Sequence, residues 1–393
     1  MTTGVLSGLR VIELSAFVAA PLAGATLASM GAEVLRVEHL GGGIDAHRWP
    51  VHEGRSLYRS GLDQGKKSLT IDLHAVRGQE LVTDLICSGG ADGGVVVTNL
   101  GARDWMSYER LGAKRPDLIM VAISGFPNGA IAVDYTVNAG IGFPLVTGPK
   151  TWEGPVNHVL PAWDVATGFL ASIAVLAAER HRRLTGQGQL VNLALSDVAL
   201  AVAGHLGFLS EARLVEEPRQ RYGNDLYGTY ARDFQTRDGR YLIVCALTPR
   251  QWKNLGQATG LAESFAAVER THGIDLTDEG ERFLHRDEIS ALIAPWVRER
   301  TLAEVGRAFD ALGVLWSPYR TFKELAGGDV SERHASPLDF GAFPRAGEMP
   351  APEIGADSRR LLQGILGLDD VELSELESQG VIESGPDTNL RGG

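Results

Sequence analysis

Short apolar segments of strand character alternate with helical patterns from Leu9 to Phe126, and this alternation limits the possible folds more than any other feature. One helical segment opens with Pro21, a residue favoured in the first turn of a helix. Strands and helices that alternate at this spacing are typical of a doubly wound α/β fold, a parallel sheet with helices on its faces. The apolar segments, in chain order, are LRVIEL, EVLRVE, SLTIDL, GGVVVTN and DLIMVAISGF.

The pattern changes after about residue 215, which predicts a second domain. The segment LYGTYARDFQTRDGRYLIVCAL alternates as two strands, and Asp238-Gly239 predicts a tight hairpin turn between them. Three helical segments follow. We therefore predict a large α/β domain from residues 1–215, a smaller inserted α+β domain at 225–320, and a linker with a C-terminal return to the large domain at 321–393.

Charge and cysteine content exclude several classes of protein. The net charge of −12 over 393 residues argues against nucleic acid or an anionic membrane as partner. The two cysteines, Cys87 and Cys245, cannot form a disulfide framework and are consistent with a reducing compartment. The longest apolar run, Val165–Ala178, is expected to be too short to cross a bilayer. No leader is evident in the first residues, so a cytoplasmic protein is expected.

Common ligand-binding motifs are incomplete in this chain. The segment GLDQGKKS has its glycines too close together for a phosphate loop, and Lys67 stands where Ser or Thr is required. The first strand-to-helix turn has no glycine, which argues against a nicotinamide or flavin enzyme. His39, His47 and His52 lie close in sequence, but no second group of ligands completes a metal site. We therefore predict no metal.

One carboxylate stands where an apolar run meets a long helical pattern. Asp164 follows Trp163 and precedes a predicted helix from Val165 to about Arg183. An aspartate here can cap the helix by accepting a hydrogen bond from an amide of its first turn. The same position would present an ionised carboxylate at the edge of the sheet, where open α/β folds bind ligands. The residues alone leave both interpretations open.

The order of segments over nearly the whole chain resembles the family III CoA-transferases, which also include the α-methylacyl-CoA racemases. No single motif decides the resemblance, which depends on many segments that occur in the same order. The segments are GLRVIELS, AAPLAG, GKKSLTIDL, VVVTNLG, LIMVAISGF, VDYTVNAGIG, AWDVATG, RRLTGQGQLVNLALSDVAL, DGRYL and SPLDF.

The resemblance implies that Asp164 is a nucleophile. In such a reaction the carboxylate attacks an acyl-CoA thioester, and CoA then rests on the aspartate as a thioester. No metal and no cofactor beyond the CoA moiety of the substrate would be needed. The segments VNHVLPAWD, GNDLYGTYARDF and QWKNLGQATGL resemble the branch that moves CoA between the C1 and C4 carboxylates of mesaconate. The resemblance also implies an interlocked homodimer.

The resemblance implies a CoA-binding surface at the first strand-to-helix turn and the neighbouring strand ends. His39 and His74 stand where relatives often carry Arg and Lys. Contacts to the CoA phosphates would then be weaker, or would move to Arg36, Lys66 or Lys67. The implied CoA contacts are Phe17, Val18, Ala19, His39, His74, Asn99, Leu100, Gly101 and Arg103.

Three further functions stay open at this point. A racemase needs two acid–base groups, and the family's histidine position is occupied here by Val133, which cannot carry a proton. The second is an intermolecular CoA-transferase, and the third is a non-catalytic acyl-CoA-binding protein.

The glycine-rich segment from Asn138 to Gly142 could supply amides for an oxyanion. Unranked candidates for the distal carboxylate of the substrate are Arg48, Tyr135, Asn138, His158 and His205.

Overall fold

The chain folds into two compact units. The computed structural model describes residues 4–101, 104–217, 219–327, 336–343, 347 and 349–385. The first unit comprises residues within 1–141, 158–214 and 332–393, and the second comprises residues within 142–157 and 215–331. The sequence pattern places 142–157 in the large domain, whereas these residues pack with the second unit.

Seven strands of the first unit form one sheet. The strands of the chain are β1 (Arg10–Leu14), β2 (Glu33–Glu38), β3 (Val51–His52), β4 (Arg55–Ser56), β5 (Lys67–Ile71), β6 (Val95–Thr98), β7 (Ile119–Ser124), β8 (Gln189–Ala194), β9 (Tyr230–Gln235), β10 (Tyr241–Ala246), β11 (Leu315–Pro318) and β12 (Ile382–Glu383). The order in the large sheet is β12-β5-β2-β1-β6-β7-β8. Every neighbouring pair is parallel except β12 with β5.

The strand order reverses between β1 and β6. The chain adds β2 and β5 on one side of β1, and then returns to add β6, β7 and β8 on the other side. Loops at such a reversal leave the sheet in opposite directions and open a crevice beyond the carboxyl ends of the two strands. The predicted α/β fold with a large parallel sheet is confirmed, and its crevice lies after Leu14 and Thr98.

Helices cover both faces of this sheet. The helices of both units, in chain order, are α1 (Ala19–Ser29), α2 (Leu57–Leu62), α3 (Val76–Cys87), α4 (Tyr108–Lys114), α5 (Asp134–Gly140), α6 (Phe143–Val146), α7 (Ala162–Thr185), α8 (Leu195–His205), α9 (Phe208–Leu214), α10 (Pro249–Thr259), α11 (Ala262–His272), α12 (Glu279–Leu284), α13 (Arg286–Arg298), α14 (Leu302–Leu312), α15 (Phe322–Gly327), α16 (Ser358–Leu366) and α17 (Asp370–Ser378). One face carries a core of strand residues such as Ile12, Leu35 and Leu69, packed against α3, α4, α16 and α17. Alternate strand residues point to the other face, where α1 and α7 lie.

Helix α7 is longer than its apolar run. Its 24 residues are long and apolar enough to cross a membrane by length and composition alone, a test that a core helix can also pass, whereas the apolar run Val165–Ala178 is shorter. The helix packs closely on α1, because Gly168 leaves room for Leu22 and the carbonyl of Ala19. Phe169, Leu170 and Ile173 remain 46%, 39% and 59% exposed in the single chain. An apolar stripe on α7 therefore lies uncovered in the monomer.

The second unit has its own sheet and core. Strand β10 pairs antiparallel with β9 and β11, and Gln235 lies opposite Tyr241. Gly239, with φ of +74°, makes the predicted turn after Asp238. Buried residues of the sheet pack against α10, α11, α13 and α14 around Trp252 and Phe309. This unit is thus a small α+β arrangement.

Candidate active site

The turn between β1 and α1 is held in a fixed shape at the strand reversal. Asn99, just after β6, donates to the carbonyl of Ala16 at 2.7 Å and accepts from its amide at 2.9 Å. The amide of Phe17 donates to both carboxylate oxygens of the buried Asp45, each at 3.2 Å. Phe17 has a φ of +66°, a conformation that costs a non-glycine residue about 1–3 kcal/mol. These bonds hold the Phe17 ring at the crevice, where it is 38% exposed.

Most of the predicted CoA contacts lie on four adjacent strand ends. The order β5-β2-β1-β6 brings the segments after these strands to one edge of the sheet. Val18 and Ala19 are buried, so the surface offered at the start of α1 is mainly backbone. Gly101 has a φ of +76° and an open neighbourhood. Arg103 lies outside the described residues.

His39 and His74 come together at this edge. Their rings stack with centroids 5.5 Å apart, although 35 positions separate them in sequence. Asp72 lies beside them, and the possible ligand atoms of the three side chains are all within 4.8 Å of one another. These groups have the chemistry to hold a metal ion. The group does not include His47 or His52.

The three basic residues considered for CoA phosphates already have carboxylate partners. Arg36 is 2% exposed and pairs with Asp63 at 2.6 Å and with Asp45 at 2.8 Å. Lys66 lies 2.8 Å from Glu13, and both side chains are fully buried. Lys67 pairs with Glu33. The expectation that phosphate contacts move to Arg36, Lys66 or Lys67 was therefore wrong for the two buried residues, and Lys67 is engaged elsewhere.

The cap of α7 is supplied by a neighbouring carboxylate and not by Asp164. Asp134, the first residue of α5, accepts from the amides of Trp163 at 2.6 Å and Asp164 at 3.2 Å. The N-cap position itself is Pro161, which makes no side-chain bond. Among the described residues nothing hydrogen-bonds to the carboxylate of Asp164. The helix-cap interpretation of Asp164 is therefore wrong, because Asp134 already fills that role.

Burial makes the carboxyl group of Asp164 a weaker acid than usual. Its pKa is raised from 3.8 to about 6, mainly by desolvation and also by the charge of Asp134, while Arg48 opposes both effects. Asp134 is 3% exposed, and its second oxygen has no hydrogen-bond partner in the described parts of the chain. A partly buried carboxylate that is mostly ionised at neutral pH and makes no hydrogen bond can act as a nucleophile.

Arg48 is the cation of this site, and the sequence leaves it unranked among several candidates. Its guanidinium lies over the rings of Phe17 at 4.8 Å and Tyr58 at 4.6 Å. Burial raises the pKa of Tyr58, while Arg48 lowers it and Asp164 raises it. In the part of the chain that the structure describes, Arg48 has no ion pair. A cation that lies over two rings and close to the carboxylate of Asp164 is suited to binding an anionic group.

The structure distinguishes among the other candidates for binding a substrate carboxylate. Asn138 is 1% exposed, and its Oδ1 accepts from Nε1 of Trp163 at 3.1 Å. Nε2 of His158 lies 3.1 Å from the same oxygen. Asn138 therefore fixes the residue beside Asp164 and does not face a ligand. Tyr135 and His205 are exposed, and neither side chain hydrogen-bonds to Asp164 within the described ranges.

Asp134 and Tyr58 are the residues of this group that sequence reasoning missed. Asp134 is 30 positions from Asp164, and Tyr58 follows a short hairpin. The one indication in the sequence was the segment VDYTVN, in which Asp134 follows the valine that replaces a family histidine. No pattern in the sequence indicated that its carboxylate would cap α7.

Comparison with known proteins agrees with this geometry. The sequence model of CoA-transferase family III matches residues 6–358. The 2-methylfumaryl-CoA isomerase of Chloroflexus aurantiacus is 48% identical over 98% of this chain and 99% of its own length. The succinyl-CoA–D-citramalate CoA-transferase of that organism is 29% identical over 96% of this chain and 98% of its own. A CaiB/BaiF family protein from Brucella suis has the same fold, with a TM-score of 0.76 and 23% identity over 92% of this chain and 100% of its own. The chain belongs to CoA-transferase family III.

Proposed function

We propose that the protein is a 2-methylfumaryl-CoA isomerase, which moves CoA between the C1 and C4 carboxylates of mesaconate within one molecule. The observation that carries the proposal is the carboxylate of Asp164, partly buried, without a hydrogen bond, and with a pKa raised by burial to about 6. The 48% identity to an isomerase of this name supports the choice of substrate.

The reaction proceeds through two anhydrides and one enzyme thioester. Asp164 attacks the C1 thioester carbonyl, which releases CoA thiolate and forms a mixed anhydride. The thiolate attacks the aspartyl carbonyl, so that CoA is bound to Asp164 and mesaconate is free. The C4 carboxylate then attacks the aspartyl thioester, and the thiolate attacks the mesaconyl carbonyl of the second anhydride. CoA ends on C4, Asp164 is restored, and no proton is gained or lost.

Arg48 binds the carboxylate of the substrate that is not esterified. Its charge is close enough to lower the pKa of Asp164, and its side chain contacts aromatic rings among the described residues. A guanidinium with free donors can hold either end of the dicarboxylate as the substrate turns. Keeping the intermediate bound matters, because mesaconate that escapes leaves CoA on the enzyme.

CoA lies across the four strand ends, with its phosphates toward the backbone amides at the start of α1. The residues that we propose form this surface are Phe17, Val18, Ala19, His39, His74, Asn99, Leu100 and Gly101, and the remaining predicted contact, Arg103, lies outside the described residues. The N-terminus of a helix favours anions, because its first amides lack partners and its dipole is positive there. The proposal needs no metal and no other cofactor.

We further propose a cytoplasmic homodimer of interlocked chains. The exposed apolar side chains of α7 support an interface, since a stripe of this kind is costly to leave in water. The free thiols of Cys87 and Cys245 support a reducing compartment.

The test is a product assay on C1-linked mesaconyl-CoA with no added acid. We expect C4-linked mesaconyl-CoA from the native protein and none from Asp164→Asn. The peptide that contains Asp164 should gain the mass of CoA less one water, and hydroxylamine should convert the thioester to a hydroxamate. Asp197→Asn is the matched control, because Asp197 also lies in the first turn of a helix but is exposed. Turnover by Asp164→Asn would overturn the mechanism.

Labelled free mesaconate distinguishes intramolecular from intermolecular transfer. No label should enter the CoA ester if transfer is intramolecular. Rapid entry of label would instead establish an intermolecular CoA-transferase, which the 29% identical citramalate enzyme makes the second candidate. A racemase is disfavoured because Val133, at the position of the family histidine, has no proton to exchange.

A further inference from the structure

The second unit contains a basic cavity that the proposed reaction does not use. The cavity measures about 450 Å³, and four of the residues that line it are cationic. It lies between the segment 142–157, the residues that precede β9, and the start of α13. A basic cavity in a chain with a net charge of −12 indicates a specific anionic ligand. The cationic residues are Lys150, Arg219, Arg221 and Arg286.

Arg221 is oriented without being neutralised. Its Nε donates to the carbonyl of Leu145 at 2.8 Å, and one terminal nitrogen donates to the carbonyl of Pro144 at 3.3 Å. Its other terminal nitrogen is buried and has no partner among the described residues. Carbonyl oxygens fix a guanidinium in position but leave its full charge for a ligand. A buried unsatisfied donor is costly, so this nitrogen calls for an acceptor.

Among the described residues, two carboxylates form ion pairs beside the cavity. Asp225 lies 3.1 Å from Arg286 and also pairs with Arg232 at 2.6 Å. Lys150 is 4.0 Å from Asp225 and from Asp287, beyond hydrogen-bond range. Asp287 pairs with Arg232 as well. Asp225 and Asp287 thus pair with Lys150, Arg232 and Arg286, and Arg221 takes no part in these pairs.

We propose that this cavity binds a phosphate group. A phosphate group carries the negative charge that a cationic lining favours, and its tetrahedral oxygens suit fixed guanidinium groups. The volume exceeds that of phosphate alone and is typical of a small-molecule site. Trp152, which is 56% exposed, supplies an apolar wall for the remainder of a phosphate ester. The proposal does not rest on the reaction proposed above.

The direct test is titration of the full-length protein with inorganic phosphate by calorimetry and by phosphorus NMR. The native protein should bind phosphate saturably, and sulfate but not chloride should compete at equal ionic strength. Lys150→Gln and Arg221→Gln should each weaken binding by about tenfold, because each removes a charged contact. Lys150 is 45% exposed, so its variant should keep the native fold, as checked by circular dichroism.

The matched control is Arg270→Gln. Arg270 belongs to the same unit, but its guanidinium pairs with Glu263 at the surface, away from the cavity lining. This variant should bind phosphate as tightly as the native protein. Equal weakening by Arg270→Gln, or the absence of saturable binding by the native protein, would overturn the proposal.

A second arm identifies the source of the phosphate. Adenosine 3′,5′-bisphosphate, a fragment of CoA, is titrated alongside inorganic phosphate. If the bisphosphate binds more tightly than inorganic phosphate, and Lys150→Gln weakens that binding, the ligand of the cavity is a phosphate ester. If Lys150→Gln weakens the binding of inorganic phosphate but leaves the binding of the bisphosphate unchanged, the ligand of the cavity is free phosphate. If Lys150→Gln and Arg221→Gln change neither, the cavity is not a phosphate site.

Discussion

Asp134 and Asp164 lie at the same helix terminus, where one carboxylate accepts the backbone amides and the other is left without a hydrogen bond. Asp134 accepts from the amides of Trp163 and Asp164, which uses one of its oxygens. Its charge also raises the pKa of Asp164, in addition to the larger effect of burial. The residue that caps the helix therefore also contributes to the raised pKa of the proposed nucleophile.

The fall of kcat/KM at low pH, the acid limb of the pH profile, should depend on the charges of Asp134 and Arg48 beside Asp164. Only ionised Asp164 attacks the thioester, so kcat/KM should fall as the pH drops through about 6. Asp134→Asn keeps an oxygen for the amides but removes the charge, so the limb should move to lower pH. Arg48→Gln removes the opposing cation, so the limb should move to higher pH. Shifts of both variants in the same direction would contradict the assignment.

Arg48→Gln should also separate binding from chemistry. If Arg48 holds the free carboxylate of the substrate, the loss of a charged hydrogen bond should raise KM by about tenfold. The matched probe is a mono-acid thioester without the second carboxylate. The variant and the native protein should bind this probe equally, as measured by competitive inhibition. A tenfold loss for the mono-acid as well would assign Arg48 to another part of the substrate.

Asp164 should lower stability at neutral pH. Its pKa in the folded protein is about 6, against an ordinary value of 3.8, so the folded state holds the proton more tightly. The protonated form of Asp164 therefore stabilises the folded state. This contribution to the free energy of unfolding is complete below about pH 4 and is lost as the pH rises through about 6. Asp164→Asn should therefore raise the free energy of unfolding at pH 8 by up to about 3 kcal/mol, with no gain at pH 4. Urea titrations at the two pH values measure this, and a loss at pH 8 would contradict it.

At the scale of elements, the close approach of α1 to the sheet depends on small residues. A Cβ on Gly24 would overlap Oε2 of Glu13, which is fully buried and paired with Lys66. Burial raises the pKa of Glu13, and Lys66 and Arg36 oppose that effect. Because this charged group is held from several sides, it cannot move aside for a methyl group.

Gly24→Ala should therefore destabilise the protein by about 1–3 kcal/mol, the usual cost of overpacking a core. The matched control is Gly364→Ala in α16, where a Cβ meets no atom. That control should gain about 0.5–1 kcal/mol, because alanine favours a helix. Thermal unfolding of both variants checks the prediction. Equal effects would show that helix propensity outweighs packing at Gly24.

At the scale of the whole molecule, α7 links the site to the proposed dimer. Its N-terminus carries Asp164, and its outward side chains Phe169, Leu170 and Ile173 are exposed in the single chain. Light scattering should give twice the chain mass of 42.1 kDa at every concentration tested. Interlocked chains cannot separate without unfolding, so dilution should not produce monomer. A folded, active monomer would contradict the proposal.

The amino-acid sequence by itself determined the features that depend on neighbouring residues. Apolar alternation predicted the parallel sheet, and Asp238-Gly239 predicted the hairpin between β9 and β10. Asp164 could be located at the start of a long helix, because strand, turn and helix patterns need only a few residues of context. The family resemblance over the whole chain was also readable from the order of segments.

The tertiary structure alone decided which charges are available. Asp134 caps a helix 30 positions away. Asp63 and Asp45, which lie 27 and 9 positions from Arg36, pair with its guanidinium. Desolvation and pairing depend on every atom within a few ångströms, and the fold brings those atoms from distant parts of the chain. For this reason the sequence could name the proposed nucleophile, but only the folded chain shows that Arg48 has no ion pair among the described residues while Arg36 and Lys66 are buried and paired.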